Sequence, residues 1–176
     1  MSEFAHFDAA HPLRIPMCLS SFLVSVDADG LLVGTMKADA AWASLDHVAS
    51  GEGALAGLVS PSGEVPPAGR VLPAGHLRIG EDPLSAAQRI VHDQIRASVR
   101  DLRLARVLTF FERMPSRREE DVHWDLCFVY DADLDVSEKP PWFAELRRVP
   151  VPDLQREKFS RGHGEVLARL GLLLDS

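Results

Sequence analysis

The alternation of apolar and polar positions divides the chain into strand-like runs and two amphipathic helices. Ile15 to Val26 is rich in strand formers, Asp27-Ala28-Asp29-Gly30 is a turn, and Leu31 to Lys37 is the return strand, so residues 14 to 37 read as a hairpin. From 38 to 70 the glycines and prolines interrupt any long element, leaving at most a short helix from Ala40 to Val48 and a short strand from Ala54 to Val59. A strand is expected over 71–79. Residues 104–113 and 122–131 read as neighbouring paired strands, joined by a charged loop from Met114 to Asp121. A polar turn over 131–139 precedes a last strand, Phe143 to Val151. The terminal helix, 161–173, carries Val166, Leu167, Leu170 and Leu173 as a stripe to pack on the sheet. The organisation expected is an N-terminal arm, 1–13, and a single domain, 14–176.

Between the strands at 71–79 and 104–113, a glycine-bearing loop runs into a helix. Asp82 is a good N-cap, because its carboxylate can accept from the first free backbone N–H groups. Pro83 follows at the first helical position, where its missing N–H costs nothing. Leu84, Ala87, Val91 and Ile95 recur at three- and four-residue steps and make one apolar face. Gly75 and Gly80 permit backbone angles closed to other residues. An amphipathic helix of an unrelated α/β domain would share these features.

The spacing within this stretch resembles the Nudix box. Gly75 is followed by five residues and Glu81, and seven more lead to Arg89. Leu72-Pro73-Ala74-Gly75 is similar to the family's Pro-Gly-Gly entry, and Gly80-Glu81-Asp82-Pro83 to its Gly-Glu-Ser/Thr-Pro. After Arg89 the pattern departs. The family's Glu after the Arg is Ile90, its paired Glu-Glu is Asp93-Gln94, and its closing Gly is Arg96, while Val91 keeps the aliphatic position. The resemblance implies an α/β/α sandwich: a mixed, curved sheet with the box helix, about 83–95, on one side and the C-terminal helix on the other. With Arg96 in place of the closing glycine, the helix is expected to run on to about Asp101.

On an α-helix, positions 90, 93 and 94 share a face. In an active Nudix enzyme that face carries three carboxylates, which hold Mg²⁺ or Mn²⁺ against a diphosphate. The metals polarise the phosphoanhydride and lower the pKa of the attacking water. Here three formal charges have become one, Asp93, and Ile90 cannot coordinate a metal. Arg89, whose family role is to orient the missing glutamate, has lost that partner. Two functions follow. One is a module that binds a nucleotide or another phosphorylated small molecule without hydrolysing it. The other is a divergent Mg²⁺-dependent pyrophosphohydrolase. In that case the metal would lie between Asp93, Glu81 and the carbonyl of Ala74, with Glu119 or Glu120 as base and Arg89 and Gln94 on phosphate oxygens. Arg78 and His123 are further ligand-contacting candidates; His123 and Asp125 form either a pocket wall or a solvent-facing edge. The Glu119-Glu120-Asp121 run is equally readable as a solvated turn, and the 38–70 stretch as a pocket-forming insertion or a surface loop. The family resemblance also allows a homodimer.

Composition narrows the partners. A net charge of −7 argues against a general nucleic-acid binder, which needs basic surface. No apolar run approaches the ~18 residues of a membrane span, and the N-terminus lacks a basic region followed by an apolar core, so a cytoplasmic location is expected. Cys18 and Cys127 lie in apolar runs and read as small buried hydrophobes. No histidine pair has metal-site spacing, His163 reads as a helix-start residue, and no Gly-x-Ser-x-Gly elbow is present.

Overall fold

A computed structural model describes residues 6–7, 17–37, 69–113, 122–136, 140–160 and 162–174, with the backbone alone at 6, 7, 112, 113, 122 and 123. The chain builds two sheets. The larger contains β1 (His6–Phe7), β2 (Met17–Val24), β5 (Ala74–His76), β6 (Ser98–Arg113) and β7 (Val122–Asp135); the smaller contains β3 (Val26–Asp27), β4 (Gly30–Met36) and β8 (Phe143–Val149). In the larger sheet β2 runs parallel to β7, Met17 opposite Trp124, while β5, β1 and β6 pair antiparallel.

The expected 14–37 hairpin is split between these sheets. Only its tip pairs as expected, Val26 with Leu31 and Asp27 with Gly30. The bend at buried Ser25 is held by Arg148 of β8, which donates to Ser25 O at 2.6 Å, Ser25 Oγ at 3.1 Å and Gly30 O at 3.2 Å, and pairs with Asp27 at 3.0 Å. The segment before β5 then stitches the sheets together. Val71 exchanges backbone hydrogen bonds with Gly34 of β4, and Leu23 N of β2 donates to Pro73 O. The expected strand at 71–79 is therefore only three residues of ladder, because its first part serves as the join.

Side chains alternate along β7 and define two cores. Tyr130, Ala132 and Leu134 pack with Ala87, Ile90, Val91 and Ile95 of the box helix. Cys127 and Val129 turn to the other side and pack with Val166 and Leu167 of the C-terminal helix. The sandwich implied by the sequence is thus present, with a helix on each side of a mixed sheet. The C-terminal helix is shorter than expected, His163–Arg169. His163 is buried at its start; its Nδ1 accepts from Leu72 N at 3.0 Å, and its ring meets Phe22 edge-on.

The strands at 104–113 and 122–131 do pair, but each is longer. β6 begins at Ser98 and β7 continues to Asp135, so the expected polar turn is partly strand. β8 stops at Val149, and a 3₁₀ turn, Val151–Arg156, takes over at Pro150. Within the stretch read as an arm, His6–Phe7 adds two residues to the sheet edge. The helix at 40–48, the strand at 54–59 and most of the arm lie outside the described residues. Among the described residues no helix is long and apolar enough to cross a membrane.

Candidate functional site

The site is set by the loop and helix that follow β5. The loop turns at Gly80, whose φ of 82° is the left-handed region glycine favours. Gly75 does not use such an angle, and a Cβ added there would make ordinary contacts with Gln94 Nε2 at 3.4 Å and Ile90 at 3.6 Å. Helix α1 starts at Pro83 and runs to Arg89. Asp82 caps it as expected, its Oδ1 accepting from Leu84 N at 2.9 Å and Ser85 N at 3.0 Å. The Ser85 hydroxyl and these N–H groups hold the Asp82 carboxyl below its usual range. Ser21 of β2 donates to Pro83 O at 2.9 Å and fixes the helix start to the sheet.

The second half of the helix is different. Ile90–Ile95 is a π-helix, whose wider turn is closed by Arg96 N donating to Val91 O. Arg96 itself adopts φ 55°, ψ 48°, so the helix stops there and does not continue to Asp101. The closing position keeps the left-handed conformation of a C-terminal cap without keeping the glycine. Arg96→Gly is expected to raise stability by up to about 1 kcal/mol, because the left-handed region strains a residue with a Cβ and glycine's larger unfolded entropy offsets part of the gain. Arg96→Val should do the reverse; the two thermal midpoints, measured side by side, check the strain.

The widened turn also changes which residues share a face. Ile90, Gln94 and Ile95 point inward and are at most 1% exposed, whereas the side chain of Asp93 is 41% exposed and meets His92 Nδ1 at 2.7 Å. The common face expected for 90, 93 and 94 is therefore divided, since that expectation assumed α-helical spacing. Leu84, expected on the apolar face, is exposed, and Ala86 is buried in its stead.

Two interactions occupy the centre of the site. Glu81 and Arg89 form a bidentate ion pair, with Nε to Oε1 at 2.7 Å and Nη2 to Oε2 at 2.8 Å. Arg89 Nη2 also donates to His76 O at 2.9 Å, and Arg78 N donates to Glu81 Oε2 at 2.8 Å. Both side chains of the pair are largely buried. Burial pushes the Glu81 carboxyl up, but the Arg89 hydrogen bonds, the Arg78 N–H and both guanidinium fields outweigh it, so the group titrates below its ordinary 4.5. Arg89 thus has a carboxylate partner, supplied by the loop where the family pattern supplies one from the helix. Second, Gln94 Nε2 donates to Ala74 O at 2.8 Å.

Those contacts decide how the residues fit the divalent metal that the resemblance implies. Ile90 offers no donor atom. The Gln94 amide presents N–H to the very carbonyl that a cation would share, and hard cations need oxygen ligands. Among the described residues no group of three or more His, Cys, Asp or Glu side chains is placed to hold a metal ion. Positions 90 and 94 do not fit the metal. Of the other sequence candidates, Asp93 stands apart on the exposed side, Arg78 is on the loop, and His123 is in β7 opposite Glu112 with its side chain undescribed. Glu119 and Glu120 lie outside the described residues.

Sequence reasoning missed the Glu81–Arg89 pair, although a Glu next to the N-cap and an Arg on the first turns of the helix are a readable signal for it. It also missed a cleft of about 660 Å³ at the ends of β2 and β7, lined by Arg100, Arg103, Arg148, Asp101, Asp131 and Asp133 among others. Its arginines are already paired: Arg148 with Asp27, Arg103 with Asp101 at 2.7 Å and Arg100 with Asp133 at 3.9 Å.

The family profile described as the NUDIX domain matches residues 48–170. Among solved structures, the chain is similar to a NUDIX hydrolase from Nitrosomonas europaea, with TM-score 0.55 and 12% identity over 88% of each chain. It is also similar to a MutT protein from Bacillus halodurans, with TM-score 0.56 and 12% identity over 87% of this chain and 81% of that one. A third likeness is the E. coli dihydroneopterin triphosphate pyrophosphohydrolase, with TM-score 0.52 and 13% identity over 86% and 92%. No curated protein sequence matches. These structures share the fold, and the matched profile spans most of the chain: this protein belongs to the Nudix family.

Proposed function

We propose that this Nudix-family chain binds a nucleotide or another small phosphorylated molecule and has lost or altered the metal-dependent phosphoanhydride hydrolysis of its relatives. The observation that carries the reading is the hydrogen bond from buried Gln94 to Ala74 O, beside a fully buried Ile90. Together they close with an amide and a hydrocarbon the face on which the family's metal would sit. The ligand class comes from the family, and one structural neighbour is named a dihydroneopterin triphosphate pyrophosphohydrolase.

A second reading rests on Asp93, a carboxylate that the π-turn leaves accessible. Mg²⁺ keeps several waters and needs few protein carboxylates, so Asp93 with a loop base such as Glu119 or Glu120 would serve a divergent hydrolase. One experiment separates the two: titrate Mg²⁺ and Mn²⁺ into the protein with and without a panel of nucleoside diphosphate compounds, reading heat and released product together. Binding without metal and without product is the expected result. Product release at an ordinary enzymatic rate, abolished by Asp93→Ala, overturns the binding reading in favour of the second.

A further inference from the structure

Among the described residues, His163 is the one Asp, Glu, Lys, Arg or His side chain that is buried, at 4% exposed, and the candidate site makes no use of it. It opens the C-terminal helix after Gly162, whose φ of 72° turns the chain inward. Its ring lies edge-on to Phe22, with centroids 5.2 Å apart, and Nδ1 accepts the backbone N–H of Leu72 at 3.0 Å. An imidazole nitrogen accepts only with its lone pair, so the ring is neutral and its proton sits on Nε2.

The N–H that it holds belongs to the join between the two sheets. Arg70 N donates to Lys158 O at 2.7 Å and Ser160 N to Arg70 O at 3.0 Å, a short parallel pairing that stops just before the helix. Along the join, Val71 then bonds Gly34, Leu72 bonds His163, Pro73 O takes the N–H of Leu23, and Ala74 O takes the Gln94 amide. Of these contacts only the one at Leu72 can be broken by a proton.

We propose that His163 is a proton-operated latch, which ties the C-terminal helix to the join while its ring is neutral and releases both when it takes up a proton. A proton on Nδ1 replaces the acceptor by a second donor, which then faces the Leu72 N–H in a site closed to water, and buried polar groups left in that state are costly. The ring therefore takes its second proton only after leaving Leu72. Cys18, Cys127, His76, Asp125 and Asp131 stand in register on the Phe22 side of the sheet. On the segments around the helix start, Arg70 is paired with Glu145 and Glu157, Glu165 with Arg169 at 3.8 Å, and Lys158 is exposed; Arg161 lies outside the described residues. None of these alters the conflict at Nδ1, because the Leu72 N–H does not titrate. Once released, the imidazole has its ordinary pKa of about 6.5. The latch thus holds in full above that value, and falling pH draws the open form, whose share rises about tenfold from pH ~7.5 to pH ~5.5. That window lies above the one in which Glu81 titrates. Leu72 is two residues from Ala74, so the release reaches the carbonyl that Gln94 covers.

The test is amide hydrogen exchange of the full chain at pH ~7.5 and pH ~5.5, corrected for intrinsic rates. Protection at Leu72 N, and at Val166 N and Leu170 N in the helix, should fall about tenfold, while the β6–β7 ladder keeps its own. His163→Asn, whose Oδ1 can take the same N–H and does not titrate, should abolish the fall. The wild-type ring gives a reading that needs no variant: its Nδ1 NMR signal should remain that of an unprotonated nitrogen at pH ~5.5. Protection at Leu72 indifferent to pH, an equal fall throughout the ladder, the same fall in His163→Asn, or an Nδ1 that takes a proton near pH ~6.5 with Leu72 still protected, overturns the proposal.

Discussion

Replacing Glu81 by alanine is expected to destabilise the protein by about 3 kcal/mol, because it leaves the Arg89 guanidinium buried without its counter-charge. In a domain of this size that is a fall in thermal midpoint of roughly 10 °C. The pair is bidentate and both partners are largely shielded, so solvent does little to replace it. Replacing both partners, Glu81→Leu with Arg89→Met, should cost much less than either single change, since no charge is then stranded. The pH dependence follows from the lowered Glu81 titration. The unfolded carboxyl titrates near 4.5 and the folded one below it, so its contribution is complete above the unfolded value and is lost as pH falls through the depressed folded value. Glu81→Ala should flatten that part of the acid limb in denaturant melts taken at descending pH. Equal stability of wild type and Glu81→Ala at neutral pH would show that the pair does not hold the loop to the helix.

Gln94→Glu should be comparably damaging at neutral pH. The amide donates to Ala74 O from a position only 1% exposed. A carboxylate in its place sets acceptor against acceptor in a buried site, at a cost of about 3 kcal/mol. The loss should shrink on acidification, as the substituted carboxyl regains a proton and can donate again. Added Mn²⁺ should raise the midpoint of this variant while leaving the wild type unmoved, because only the variant offers a cation two oxygens there. Gln94→Leu, which merely strands the carbonyl, should cost about 1–3 kcal/mol and show no metal response. Melting curves in chelator and in Mn²⁺ decide the matter; a Gln94→Glu protein as stable as wild type in chelator would remove the amide from its assigned role.

What the sequence made legible was local. Asp82 as cap, Pro83 at the first turn, and Ala87, Val91 and Ile95 on the buried face are all written within a dozen residues, and the structure has them in place. The Glu81 and Arg89 spacing marked the family but not the contact, since a loop can fold back on its helix in ways that spacing does not fix. The division of Asp93 from Ile90 and Gln94 depended on a π-turn, closed by the Arg96 N–H on Val91 O, which apolar spacing read at the α-helical period does not announce. The first half of β6, Ser98 to Arg103, was unreadable as strand because charged residues interrupt its apolar positions, and it is the pairing with β7 that makes it one. The split of the first hairpin was invisible for a similar reason. Arg148, which holds its bend, comes from the far end of the sequence.

That sharing of one bend between distant segments dictates the order in which the molecule can assemble. β6 and β7 are joined through a short connection and can close early. β2 has only short partners earlier in the chain, β1 and β5; its longest ladder is with β7, aligned from Met17 with Trp124, and β4, paired locally only at the β3 tip, waits for β8 for the rest. A nascent chain therefore emerges from the ribosome with two apolar strands whose longest ladders stay open until the C-terminal half has followed. Completion of both sheets is late, and the interval before it is when the N-terminal strands are most open to aggregation.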